Sequence, residues 1–308
     1  MALDPDARRL LDMAASMGAP PLDAMSVPEA RAAVQAMTAM LQPPPVAHRM
    51  RAIDLGGVPA RIYRPADAEN AAILPAYIHL HGGGWVLGDL DGCHSFCAEI
   101  AATAGIAVIA IDYRLAPEHP FPAGLTDSLT AVRVVVEQAA SLGIAPSRLS
   151  IGGDSAGGNL AAVTCLSLRD EGGPALRAQV LLYPVTDLRM QTASYAMPDG
   201  DGLLTAGMMR WFSDLYAGDA ADWRVSPLLA DSNAGLPPAY VITCGFDPLR
   251  DEGRAYAAAL VQAGGAVTHV PYPDQFHGFL FMGAAISAAG PAIADVAGYL
   301  RRVLCTEV

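Results

Sequence analysis

Six short β-branched runs, at 74–80, 106–111, 148–152, 178–183, 239–245 and 266–271, alternate with helix-period stretches near 94–104, 124–142, 156–170, 251–264 and 289–304. Parallel strands need crossovers of a dozen or more residues, and an α-helix is the usual one. The alternation therefore predicts an α/β chain: a mostly parallel central sheet flanked by helices on both faces. A Gly-Gly turn inside RAIDLGGVPARIY predicts a hairpin ahead of it. Two intervals break the rhythm. Residues 1–45 read as helical and end at QPPPV, while 186–225 hold no strand pattern but carry Met208, Met209, Trp211, Phe212, Leu215 and Tyr216. The remaining stretches, 46–185 and 226–308, then form two parts of one core.

In doubly wound sheets, ligands bind outside the carboxyl ends of the strands. Three motifs fall there. The first, GGDSAGGN, places Gly153-Asp154-Ser155-Ala156-Gly157 between a strand and a helix. In that context G-x-S-x-G marks a nucleophile elbow, where small residues on either side let the backbone turn sharply. Ser155 then stands at a helix N-terminus, whose amides favour a developing anion.

A serine hydroxyl needs an adjacent base, itself oriented by a carboxylate. Two histidines follow Ser155 in the chain. His269 lies within the strand-like AVTHVPY, whereas His277 lies on the loop in PDQFHGF, so His277 is the candidate base. The strand YVITCGF delivers Asp247 to the sheet's carboxyl edge, with Pro248 opening the next helix. Asp251 and Glu252 are rivals, but the first helical turn accounts for them as acids favoured by the helix dipole.

The second motif, HLHGGGWVLGD, runs an apolar strand into His81 and three glycines. Acyl transfer generates an oxyanion, and each donor waiting for it is worth about 3 kcal/mol of transition-state stabilisation. Backbone amides approach a tetrahedral carbon only where side chains are absent. Gly83 and Gly84 supply such backbone, and the N–H of Ala156 supplies a third donor. His81 is expected to hold the loop, and Asp154 to brace the elbow.

HGGGW (81–85), DYRLAPEHPFPA (112–123), GDSAGG (153–158), DPLRDEG (247–253) and HGF (277–279) together resemble the hormone-sensitive-lipase-like carboxylesterases, the bacterial family IV esterases. The resemblance runs in order from about residue 75 to 280. It implies an α/β-hydrolase fold with a helical cap, formed by residues 1–45 and a second insertion at 186–225. It implies a Ser155–Asp247–His277 triad, an oxyanion hole of Gly83, Gly84 and Ala156, and a homodimer. In the third motif, DYRLAPEHPFPA, Asp112, Arg114 and Glu118 are expected to brace their loop by mutual ion pairs.

The expected activity is serine carboxylesterase action on short- to medium-chain acyl esters, without metal or organic cofactor. An amide deacetylase uses the same triad, and a ligand-binding receptor uses the same fold. The receptor reading requires a lost histidine, and His277 is present. Trp85, Met208, Trp211 and Phe212 are the candidate substrate-pocket residues, with Met13, Met17, Met37, Met40 and Met209 adding to a soft apolar lid. His79 and His81 form a His-x-His pair, but no other histidine cluster supports a metal and the glycine run would go unexplained.

The net charge of −12 argues against nucleic acid and anionic membranes as partners. All 19 Lys+Arg positions are Arg, which removes Schiff-base lysines, Ser-x-x-Lys hydrolases and the lysine-dependent phosphate loop. Five cysteines without a CxxC pair, no apolar signal core in MALDPDARRL and no apolar run of about 18 residues point to a cytoplasmic protein.

Overall fold

The computed structural model describes residues 2–69, 71–198 and 202–305. Met1, Asn70, residues 199–201 and residues 306–308 lie outside the described residues, so the second helical segment, 186–225, is described only in part.

The chain opens with helices α1 (Pro5–Ser16) and α2 (Val27–Leu41). Asp4 starts α1 by accepting the Asp6 N–H at 2.8 Å, which satisfies one of the first-turn amides. Gln42 takes extended geometry ahead of the proline run and stops α2. The hairpin expected around Gly56-Gly57 follows as β1 (His48–Asp54) and β2 (Pro59–Pro65). The alternating part then runs β3 (Leu74–Leu80), α3 (His94–Ala104), β4 (Ala107–Ile111), α4 (Ala123–Glu137), α5 (Ala139–Leu142), β5 (Ile144–Asp154), α6 (Ala156–Asp170) and β6 (Gln179–Leu182). After α7 (Ala206–Tyr216) come β7 (Ala239–Phe246), α8 (Arg250–Gln262), β8 (Val267–Phe276) and α9 (Ala289–Cys305).

The eight strands form one sheet in the order β1-β2-β4-β3-β5-β6-β7-β8. β1–β2 and β2–β4 pair antiparallel, and every later pair is parallel. Apolar side chains cover both faces, as a parallel sheet requires. On β3, Ala76, Ile78 and Leu80 join the cluster beneath α4, α6 and α8, while Tyr77 turns to the cluster beneath α3 and α9. Burying one such Ile or Leu stabilises the fold by about 1.5–3 kcal/mol. The chain is an α/β hydrolase in architecture, with no described residue of 1–45 or 186–225 in the sheet. No helix among the described residues is long and apolar enough to cross a membrane.

Three elements differ from expectation, the first being β5, which runs from Ile144 to Asp154 rather than over 148–152. The helix expected over 124–142 breaks at Gln138, which leaves helical geometry at φ −95° and ψ 10°. The last strand runs five residues past Pro271, through Pro273 to Phe276. Proline removes a ladder donor, but β8 is an edge strand paired only to β7, so the loss falls on the open side.

Candidate active site

The parallel strands converge on one edge. There β5 ends at Asp154 and α6 starts at Ala156, leaving Ser155 alone between them with φ 55° and ψ −117°. A non-glycine residue at such φ is strained, and here the surroundings fix it. The Ser155 N–H donates to Leu182 O at 2.9 Å, and its carbonyl accepts from Asn159 N at 3.0 Å. A Cβ on Gly157 would meet Leu80 O at 1.9 Å, so β3 and α6 pack against one another only through glycine.

β7 and β8 bring the other two groups. Asp247 follows β7 immediately and is fully buried, with its Oδ1 accepting the Leu249 N–H at 2.8 Å. His277 follows β8 immediately; its Nδ1 lies 2.8 Å from Asp247 Oδ2 and its Nε2 2.9 Å from Ser155 Oγ. A buried carboxylate accepts only, so Nδ1 carries the proton, and Nε2 is left to accept the serine O–H. The Tyr183 ring, 4.7 Å from the imidazole, packs beside it. His269, by contrast, sits on β8 away from this constellation and bonds Thr243 Oγ1 at 2.9 Å.

The glycine loop faces Ser155 across a cavity of about 740 Å³ lined by Gly82, Gly83, Gly84, Ser155 and His277. Gly83 and Gly84 take φ of 114° and 60°. A Cβ on Gly83 would lie 2.2 Å from Leu87 O, and one on Gly84 2.3 Å from the Phe212 ring. Among the described residues, the N–H groups of Gly83, Gly84 and Ala156 have no protein acceptor. The loop is held from behind: Asp154 Oδ1 accepts the Gly82 N–H at 2.9 Å, and burial pushes the Asp154 carboxyl up to about 7. His81 Nδ1 reaches Gly82 O at 2.8 Å, and its ring stacks on Tyr113.

Of the sequence-predicted pocket residues, Met208 and Phe212 line the cavity, as do Met13, Met17, Met37 and Met40. Trp85, Trp211 and Met209 do not. Trp85 is turned inward at φ 61° and stacks on Tyr216 at 4.3 Å, 1% exposed. Met209 is buried in the core one position round the helix, and Trp211 packs on its outer side against Phe212. The sequence reasoning missed Leu203, Leu204, Phe281 and Met282 as lining residues. The last two stand within five residues of His277 in FHGFLFM, a run apolar enough to have marked them.

The mutual ion pairs expected of Asp112, Arg114 and Glu118 are not formed. Arg114 makes a forked bond to Asp127 from α4, with Nη2–Oδ1 2.7 Å and Nε–Oδ2 2.9 Å. Glu118 instead receives both terminal nitrogens of Arg31, at 2.7 Å each, and this pairing holds its carboxyl down at about 2. Arg31 also donates to Val86 O at 2.9 Å and Ala116 O at 3.0 Å, clamping α2 over the glycine loop. The helix-dipole reading of Glu252 also needs correction. Glu252 is fully buried, accepts the Thr186 N–H at 2.7 Å, and is raised to about 8 by burial. Asp251 likewise accepts the Ser194 N–H at 2.9 Å. Both acids tie the 186–195 segment to α8.

His79 and His81 do not face a common ligand position. His79 is fully buried, its imidazole driven down to about 3, and its ring lies near Cys93 and Cys97.

Residues 77–281 match the α/β-hydrolase-fold family model. The chain is 44% identical to a carboxylic ester hydrolase, LipN, of Mycobacterium tuberculosis, over 80% of this chain and 69% of the relative. It is 40% identical to an ethyl acetate hydrolase of Pseudomonas putida, over 80% of this chain and 79% of that one. Among solved structures, an ester hydrolase from the metagenome of Lake Arreo, complexed with a bipyridine phosphonate derivative, superposes with TM-score 0.92 at 40% identity, covering 99% and 100% of the two chains.

Proposed function

Because this chain belongs to the α/β-hydrolase family, among its hormone-sensitive-lipase-like carboxylic ester hydrolases, we propose that Ser155, His277 and Asp247 are the residues that cleave the ester. The observation that carries the reading is the position of His277, within 2.9 Å of Ser155 Oγ and 2.8 Å of Asp247 Oδ2. His277 Nε2 takes the Ser155 proton as Oγ attacks the carbonyl carbon. Asp247 holds the imidazole in the tautomer that leaves Nε2 free, and stabilises the imidazolium that forms. The oxyanion is received by the N–H groups of Gly83, Gly84 and Ala156, which no protein acceptor occupies among the described residues. His277 then protonates the departing alkoxide. Water, activated by the same nitrogen, releases the acid and restores Ser155.

The substrates in this reading are short- to medium-chain acyl esters. A cavity of about 740 Å³ is compatible with this, and the likeness to an ethyl acetate hydrolase supports it. Residues 1–45 and 186–225 act as a cap, since α1, α2 and α7 supply Met13, Met37 and Met208 to the cavity wall. All five cysteines are unpaired, which supports a reducing compartment and a cytoplasmic location. The family resemblance adds a homodimer, which equilibrium sedimentation of the intact chain would test.

The test of the reaction is hydrolysis of p-nitrophenyl acyl esters from acetate to palmitate by wild type and Ser155→Ala. A maximum at short chains, lost in the variant by about 10⁴-fold or more, is expected. Activity surviving in Ser155→Ala would overturn the nucleophile, and a folded but inert wild type would overturn ester cleavage.

A further inference from the structure

Behind the glycine loop lies a second group of reactive side chains that ester cleavage does not use. His79 of β3, and Cys93 and Cys97 at the start of α3, are all buried, and one ligand atom from each lies within 4.8 Å of the others. The geometry follows from the elements. Cys93 precedes the first residue of α3 and Cys97 is one turn further on, so both thiols face the same side. β3 turns Tyr77 and His79 towards that side, two residues apart on one face. The Tyr77 hydroxyl meets His79 Nδ1 at 3.2 Å, while His79 Nε2 is buried with no hydrogen-bond partner among the described residues. An orphaned buried nitrogen costs stability unless something fills its place. Asp154 Oδ1 stands 3.7 Å from it.

We propose that His79, Cys93 and Cys97 form a binding site for a thiophilic metal ion of the zinc(II) class, with the Asp154 carboxylate within reach as a fourth donor. Two sulfurs and an imidazole are the donors such ions prefer over magnesium or calcium. In a tetrahedral zinc site the bonds of about 2.0–2.3 Å put neighbouring donors roughly 3.3–3.8 Å apart, so side-chain rotations of about 1 Å close the set. On binding, each thiol loses its S–H proton to water as a metal–sulfur bond forms, and no oxidation state changes. The two thiolates neutralise the dication, so the assembly entering the apolar interior carries no net charge from these three residues. Cys93 lines the substrate cavity, which gives the ion its path.

Occupancy would reach the oxyanion loop. Asp154 Oδ1, 3.7 Å from His79 Nε2, is also the acceptor of the Gly82 N–H. Metal that draws this oxygen releases Gly82, and the amides of Gly83 and Gly84 move with it. The ion is thus a reversible inhibitor. This inhibitory part rests on ester cleavage through that loop; the binding part does not.

The experiment uses the full chain carrying Cys305→Ser, which removes the one exposed cysteine, and titrates it with cobalt(II) and then zinc(II). Expected are one cobalt per chain with thiolate-to-cobalt charge-transfer absorption, displacement by zinc, and a fall of at least about tenfold in ester hydrolysis that a chelator reverses. Cys97→Ala and Cys97→Ser should abolish the absorption and the inhibition, whereas Cys165→Ala should keep both. Circular dichroism and metal-free activity, read on the same samples, establish that each variant is folded. No thiolate absorption in the parent, or its persistence in either Cys97 variant, would overturn the site. Metal-free activity reports separately on the esterase reading.

Discussion

Around Gly82–Gly84 and Ser155, the cavity wall has no room for a methyl group, and a Cβ at Gly83 or Gly84 would come within 2.3 Å of its neighbours. Across the cavity, Met13, Met17 and Met40 line the wall while remaining 43%, 68% and 56% exposed. The first side is fixed by backbone: positive φ at Gly83, Gly84 and Ser155, each held by a carbonyl or a ring behind it. The second is a sheath of flexible thioethers with few fixed partners. The proposed chemistry falls on the side that cannot move, and the proposed substrate fit on the side that can, because a displaced donor costs rate while a displaced methionine only reshapes volume.

The largest expected effect is on the tight side. Gly84→Ala should lower kcat by about 10²–10³-fold, the cost of losing one oxyanion donor, with a much smaller change in KM. Because Phe212 is the obstructing ring, adding Phe212→Ala should return at least about tenfold of that loss, although the strained φ persists. A neutral Gly84→Ala, by steady-state kinetics, would break the contrast between the two sides.

The next concerns how the soft side is fastened. Glu252 holds the 186–187 backbone, and its carboxyl is raised from 4.5 to about 8. The folded chain therefore keeps a proton that the unfolded chain releases above pH 4.5. The stability this contributes is present in full below that pH and is lost as pH rises through about 8. Urea midpoints between pH 5 and 8 should fall in wild type, with a contribution from this group of about 1 kcal/mol per pH unit. Glu252→Gln should flatten that slope while keeping the acceptor. Parallel slopes would remove Glu252 as the fastening.

The smallest effect is expected of the methionines. Met17→Ala and Met208→Ala should change kcat/KM on p-nitrophenyl acetate by less than about threefold and favour longer chains by a few-fold. A larger loss on acetate would mean that the soft wall positions the reacting carbonyl.

The contrast also explains what could be read from sequence. Ser155, Asp247 and His277 were legible because each follows a strand directly, and strand ends fix direction without any knowledge of packing. The glycine run was legible as a demand for bare backbone, although the atoms imposing it, Leu87 O and the Phe212 ring, were not. Trp85 and Trp211 misled because size and apolarity do not say which way a side chain turns. Arg31 was invisible as a clamp, since its partners lie 55 to 87 residues away. Glu252 was read as an acid favoured by the helix dipole, because nothing local announces a buried carboxylate whose N–H donors, from Thr186 and Asp187, come from another segment. The Cys93–Cys97 spacing gave no metal signature, since its third member arrives from β3 through the sheet.

The most direct measurement is covalent labelling with a p-nitrophenyl alkylphosphonate, in which the serine oxygen attacks phosphorus and p-nitrophenolate departs. The account predicts one equivalent of p-nitrophenolate per chain, complete loss of esterase activity, and an adduct on Ser155 within the peptide Leu149–Arg169 by mass spectrometry. An adduct on any other residue, or a fully labelled Ser155 in a chain that still hydrolyses esters, would contradict it.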